Sequence, residues 1–240
     1  MSLPLFLVAS LPAGETYQLD GAEGHHAADV QRLRPGEELL LGDGSGGMAH
    51  AAVVAAGRGQ VTLRITNRSY ARPPSPRLVV AQALAKGDRG ELAVQAMTEV
   101  GVDEIVPWAA ARCVVQWHGE RGERARGRWT ATAREAAKQA RRAYVPGVTE
   151  PVGTTALVKR TAAARLVLHE AATERLSSVP LPASGEVLLV VGPEGGITDQ
   201  ELSMLTGTGG RAVRLGTEVL RTSTAGVAAL AVLSVRLGRW

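Results

Sequence analysis

Apolar and polar positions follow two different rhythms along this chain. As far as about residue 70, short apolar runs at 5–9, 38–41, 48–55 and 60–65 are divided by glycine-bearing turns. Several short strands in that order predict a small β-barrel. One helical stretch, 24–33, interrupts them and stops before Pro35, because the residue ahead of a proline is driven out of the helical region. The glycine-rich segment 42–47 has strand patterns on both sides and no helix after it, so it predicts a hairpin turn and not a dinucleotide loop.

Beyond Arg72-Pro73-Pro74-Ser75-Pro76 the rhythm changes. Prolines stiffen such a segment into an extended linker, which divides the chain into domains at 1–71 and 72–240. Continuous apolar runs at 78–83, 105–106, 165–169, 187–191 and 212–215 now alternate with helical periods at 89–100, 128–143 and 225–237. Alternation of that kind predicts an α/β domain with a parallel sheet. Gly101 follows the first of these helices as its C-terminal cap. Thr198 and Glu201 have the spacing of a capping box that opens a further helix.

Two of these strands hand the chain to glycine-bearing loops. The run 187–191 stops at Gly192-Pro193-Glu194-Gly195-Gly196, and the run 212–215 leads to Gly216 and then Leu220-Arg221-Thr222-Ser223-Thr224. Ligands of open α/β sheets sit beyond the carboxyl ends of the strands, where such loops gather. The end of the run 165–169 supplies a third loop to the same pocket.

Composition narrows the chemistry. The chain has 240 residues, a formal net charge of +4 and a pI near 9.7, which suits a polyanionic partner. The single cysteine, Cys113, excludes an internal disulfide and a multi-cysteine zinc site, and its apolar surroundings predict an inert buried thiol. His25 and His26 are adjacent, point about 100° apart on a helix, and have no further ligand at metal spacing, so no metal is expected. No basic leader precedes the first apolar run and no stretch reaches membrane-spanning length, from which a cytoplasmic location is expected. There is no Walker pattern and no nucleophile elbow. The most basic stretch is 121–142, in which Arg134, Lys138 and Arg141 recur at helical spacing and are expected to form one positive face that tracks an RNA backbone.

GPEGG, followed some twenty residues later by LGTEVLRTSTA, resembles the paired signature of the SPOUT-superfamily methyltransferases that form N3-methyluridine in small-subunit ribosomal RNA. The segment ALAKGDRGELAVQAMTEVGVDEIVPW, with Lys86, Glu99, Gly101 and Arg112, is similar to the same family. So are Glu23, His25, His26, Val30 and Arg32, although Gln31 replaces the family's Leu. Further departures are Lys138, Ala140 and Arg141 in an EQSGR-like motif that Gln139 and Arg142 match, Thr217 for Pro, and Ser223 for Glu.

The resemblance implies a C-terminal SPOUT-type α/β domain with a trefoil knot, preceded by a small PUA-like β-barrel that helps to hold RNA. It implies S-adenosyl-L-methionine as cofactor, a uridine of 16S ribosomal RNA in the small subunit as substrate, and a homodimer. Carried over residue by residue, the cofactor pocket comprises Leu168, His169, Glu170, Gly192, Pro193, Glu194, Gly195, Gly196, Leu215, Gly216, Leu220, Arg221 and Thr222. Expected RNA contacts are Arg32, Arg34, Lys86, Arg112, Arg134, Lys138, Arg141 and Arg142. Arg221 and Arg142 are the candidates to stabilise charge on the uracil oxygens, since guanidinium stays charged and presents donors in a fork. Glu194 and His169 are candidate bases beside solvent. A ribose 2′-O SPOUT methyltransferase and a non-catalytic RNA-binding assembly factor are the competing readings.

Overall fold

A computed structural model describes residues 3–240, which form two compact units. The first takes the chain up to Pro73 and also Ala137–Val145; the second takes Pro74–Ala136 and Pro146–Trp240. Among the described residues no helix is long and apolar enough to cross a membrane.

The first unit is a mixed sheet of β1 (Leu5–Leu7), β2 (Thr16–Leu19), β3 (Glu38–Gly42), β4 (Gly47–Gly57) and β5 (Gln60–Tyr70), in the order β1-β3-β4-β5-β2. β1 lies parallel to β3 and the other pairs are antiparallel. Alternate residues point inward, so Leu39 and Leu41 of β3, Ala49, Ala51 and Val53 of β4, and Val61, Leu63 and Ile65 of β5 share one core with Phe6 and Leu19. β2 escapes the apolar pattern because only Leu19 of its four residues is buried. The helical stretch starts earlier than expected, as α1 (Gly21–His25), and ends in a π-turn over His26–Val30. Between β3 and β4, Asp43 Oδ1 accepts from the amides of Ser45 and Gly47 at 2.7 and 2.9 Å, which closes the expected hairpin turn. Residues 137–145 dock on that turn: Gly46 N donates to Ala143 O, Val145 N to Gly44 O, and the Tyr144 hydroxyl to Ala71 O.

The second unit is a seven-stranded parallel sheet. Its strands are β6 (Arg77–Ala83), β7 (Glu104–Ala109), β8 (Gly147–Val148), β9 (Val152–Gly153), β10 (Ala164–Leu168), β11 (Glu186–Val191) and β12 (Arg211–Val213), with main order β12-β10-β11-β6-β7-β8 and β9 also on β7. Both faces are covered, which is why the strands are apolar throughout and not alternating. On one face Leu78, Val80, Val187, Leu189 and Val191 meet α2 (Arg89–Glu99), α3 (Gly119–Gln139) and α6 (Thr222–Arg236). On the other, Val79, Ala81, Leu188 and Val190 meet α4 (Thr154–Lys159) and α5 (Asp199–Thr206). α2 and α6 approach closely at Gly226, where a Cβ would fall 2.7 Å from Met97 Sδ. The capping box is present: the Thr198 hydroxyl accepts from Glu201 N and Glu201 Oε2 accepts from Thr198 N. Gly101 follows α2 at φ +101 as its cap. After edge strand β12 the chain doubles back to the middle strands, where α6 packs on α2, β6 and β11.

One expectation is corrected. The basic helix runs from Gly119 to Gln139, not from 128 to 143. Arg141 lies beyond its end at φ +52, so it does not continue the face of Arg134 and Lys138. Lys138 does not offer an open cation either: its Nζ is 2.9 Å from Glu23 Oε1 and its side chain is only 10% exposed.

Candidate active site

Beyond the carboxyl ends of β10, β11 and β12 lies a cavity of about 610 Å³, in the range of sites for small ligands. Leu168, His169 and Glu170 enter it from the end of β10, Gly192 to Gly196 from β11, and Leu215, Gly216, Leu220, Arg221 and Thr222 from the segment between β12 and α6. All residues carried over to the cofactor pocket therefore line one space. Arg89, Arg112, Ile197, Arg214, Glu218 and Val219 also line it.

The loop after β11 is shaped by close packing. A Cβ on Gly192 would fall 2.7 Å from Ile197 Cγ1, and Gly196 sits at φ +74, where a side chain is strained. Gly196 N donates to Pro193 O at 2.9 Å, which closes the turn. Arg112 lies along the outside: its Nη1 donates to Gly195 O at 3.0 Å, and a Cβ on Gly195 would come within 3.1 Å of its own Cβ. Expected as an RNA contact, Arg112 thus braces the glycine loop. Glu194 Oε1 accepts from Arg89 Nη1 at 3.2 Å, so one oxygen of this candidate base is engaged.

Two buried polar chains hold these loops to the sheet. In the first, Gln82 of β6, fully buried, donates from Nε2 to Thr222 Oγ1 at 3.0 Å, and the Thr222 hydroxyl donates to Gly192 O at 2.9 Å. The start of α6 is thereby tied to the loop after β11. In the second, Glu201 Oε1 accepts from Ala111 N at 2.9 Å and from the Thr154 hydroxyl at 2.8 Å. Burial pushes the Glu201 carboxyl upward, but hydrogen bonds from Ala111, Thr154 and Thr198 outweigh it and leave the group below its ordinary value. Its anion fixes the backbone immediately before Arg112.

His169 and Arg221 differ in what they offer the cavity. His169 Nδ1 accepts from Ala171 N at 3.2 Å, so in the neutral ring the proton sits on Nε2. The ring then presents a donor and not a free acceptor. Arg221 caps α6 through its carbonyl, which accepts from Thr224 N and Ala225 N, and its exposed guanidinium makes no ion pair or hydrogen bond among the described residues. That leaves a free cation on the cavity wall. Cys113, expected to be buried, is half-buried, and that burial raises its thiol above the ordinary value.

Arg142, the second guanidinium expected at the reacting base, does not line the cavity and belongs to the first unit. Arg32, Arg34, Lys86 and Arg134 are exposed, and none of them lines it. The sequence reading missed Arg89 and Gln82. Both act across more than a hundred residues, on Glu194 and Thr222, and no local pattern announces such a pair.

A family model described as an RNA methyltransferase domain matches residues 72–234, and one described as an RNA methyltransferase PUA domain matches residues 19–66. The chain is 48% identical to the ribosomal RNA small subunit methyltransferase E of Mycobacterium bovis, over 98% of this chain and 93% of that one. It is 31% identical to the protein of the same name from Bacillus subtilis, over 91% and 90%. Its structure resembles that of a ribosomal RNA small subunit methyltransferase E from Neisseria gonorrhoeae bound to S-adenosyl methionine, with a TM-score of 0.88, 28% identity and 98% of each chain covered. A putative methyltransferase from Legionella pneumophila in complex with the same cofactor gives a TM-score of 0.87 at 30% identity, again over 98% of each chain.

Proposed function

This chain belongs to the ribosomal RNA small subunit methyltransferase E family, and from that premise we propose that it methylates N3 of a uridine in 16S ribosomal RNA with S-adenosylmethionine as donor. The observation that carries this reading is the single cavity that gathers every expected cofactor residue beside the unpaired Arg221 guanidinium. The residues present fit the cofactor. Gly192 and Gly195 let the loop pack closely on Ile197 and Arg112, Gly196 permits its left-handed turn, and the backbone groups of 168–170, 192–196 and 215–220 offer the donors and acceptors that a purine edge, a ribose and an amino-acid tail need. When bound there, the cofactor supplies a methyl group on a cationic sulfur.

What the chain itself does is mostly positioning, because the reaction needs two groups held in line and little else. The uracil imide must lose its N3 proton before it can act as a nucleophile, and the resulting charge spreads onto the two flanking carbonyl oxygens. Arg221 stabilises that charge, with a guanidinium that no carboxylate pairs with among the described residues. The apolar stretch Val219-Leu220 beside Arg221 would not oppose the passage of an uncharged methyl group. Glu194 has one oxygen paired with Arg89 and His169 presents an N–H, which favours solvent as the acceptor of the N3 proton.

In the same reading residues 1–71 help to hold the RNA, residues 72–240 carry out the transfer, two copies pair, and the work is done in the cytoplasm on the small subunit. The test is incubation of the purified protein with methyl-labelled S-adenosylmethionine and small subunits from cells lacking the gene, followed by nucleoside analysis. Labelled N3-methyluridine, lost with Gly195→Val, is the expected result. Label on a ribose oxygen refutes the target atom, and no label in spite of bound cofactor refutes the substrate. Arg221→Ala should lower the transfer rate about a hundredfold while cofactor affinity stays within a few-fold; an unchanged rate removes the role given to Arg221.

A further inference from the structure

A second cavity, of about 490 Å³, opens elsewhere on the methyltransferase unit and shares no residue with the first. Its walls come from the turn before α2, the segment 115–117 and one face of α3. On α3 the lining positions Arg121, Arg124, Ala125, Arg128 and Trp129 are spaced i, i+3, i+4, i+7 and i+8, which places them on a single side of the helix. Two indoles form the floor. Trp117 is half-buried and meets Trp129 edge to face at 4.9 Å between ring centroids. Trp129 is 2% exposed, yet neither indole N–H has a hydrogen-bond partner among the described residues.

Three arginines gather over this aromatic floor against one lining carboxylate, Glu91. Glu91 takes Arg128 Nε at 3.1 Å. Arg124 is paired only with Glu120, at 3.3 Å on an exposed surface with both side chains more than half exposed, a pair that contributes little and exchanges readily. Arg121 has no ion-pair partner among the described residues. Gln116, also on the wall, accepts through Oε1 from His118 Nε2 at 3.0 Å and keeps its amide NH2 for a ligand.

From this arrangement we infer that the cavity binds one unpaired nucleotide of the substrate RNA, its base against Trp117 and its phosphates on Arg121 and Arg124. Single-stranded RNA is held in this way, by bases on aromatic side chains and by cations along the backbone. An apolar peptide would leave Arg121 unmatched, and a bare anion would not use the indoles. The site gives the enzyme a hold on RNA outside the cavity where the methyl is transferred, which rests on the reading that RNA is the substrate.

The test uses Arg121→Glu, at an exposed position with no bond to lose, alongside Trp117→Leu. Binding of a fluorescein-labelled single-stranded RNA nonamer is followed by anisotropy, and methyl transfer to small subunits is followed as above. Arg121→Glu should weaken the nonamer about tenfold and raise KM for the subunit, with kcat, cofactor affinity and Tm unchanged. The tryptophan fluorescence of the wild-type protein should be quenched by the nonamer, and less so in Trp117→Leu. Unchanged nonamer affinity and KM in Arg121→Glu, with wild-type protein still forming N3-methyluridine, overturns the nucleotide site and leaves the enzyme reading intact. A wild-type protein that neither binds the nonamer nor methylates subunits overturns both.

Discussion

Replacing Thr222 by Val tests the physical claim on which the site depends, that one hydroxyl joins three parts of the fold. Thr222 is 6% exposed, and Val keeps its shape. The change removes the donor to Gly192 O at 2.9 Å and the acceptor of Gln82 Nε2 at 3.0 Å. Gln82 then keeps only long contacts, at 3.3 Å to Ala83 O and 3.4 Å to Thr222 O, while its Oε1 is buried without a partner already. A buried group left without its hydrogen bond costs about 1–3 kcal/mol, and with one acceptor orphaned and one donor weakened the expected loss is about 2 kcal/mol. For a chain of this size that corresponds to a fall in Tm of roughly 4–8 °C. Urea unfolding should show a lower midpoint with an unchanged slope, and calorimetric titration should show weaker binding of S-adenosylmethionine, because the loop at Gly192 loses its tie to α6. Thr222→Ser keeps the hydroxyl and should recover most of both losses. If Val and Ser were equally destabilised, or if neither moved from the parent by more than about 0.5 kcal/mol, the hydroxyl would not be the joint described.

Gly196→Ala places a Cβ at φ +74 and should cost roughly 1–2 kcal/mol in denaturant unfolding, together with a measurable loss of cofactor affinity. Lys138→Met leaves Glu23 as an uncompensated, largely buried carboxylate and should cost roughly 2–4 kcal/mol; adding Glu23→Gln should return part of it, as a double-mutant cycle will report. Glu201 has a lowered carboxyl pKa, so it binds fewer protons folded than unfolded at mildly acid pH. Its contribution is complete above its unfolded pKa, about 4.3, and is lost as pH falls through the lower folded value, so Glu201→Gln should flatten the loss of stability between about pH 5 and pH 3.

The parts of this protein that were legible in advance are those whose cause is local. The apolar runs of the parallel strands, the capping box at Thr198 and Glu201, and the cap at Gly101 each follow from a few adjacent residues, and each is where it was expected. The loops of the cavity were legible as well, since a strand that stops at a glycine-rich turn declares its carboxyl end. Local reasoning failed wherever a distant partner decides the outcome. β2 is mostly exposed and exists because Thr16–Leu19 pairs with Val61–Arg64 of β5, not because its own residues are apolar. The basic helix was expected to carry a row of cations to Arg141, but its chain leaves the helix after Gln139 to dock on the turn at Gly44–Gly46, and Lys138 is drawn inward by Glu23. A residue type announces its charge, and only its neighbours in the fold decide whether that charge faces a ligand. By that criterion Arg112 works as a brace through Gly195 O, while Arg221 and Arg121 are among the guanidiniums that no carboxylate holds among the described residues.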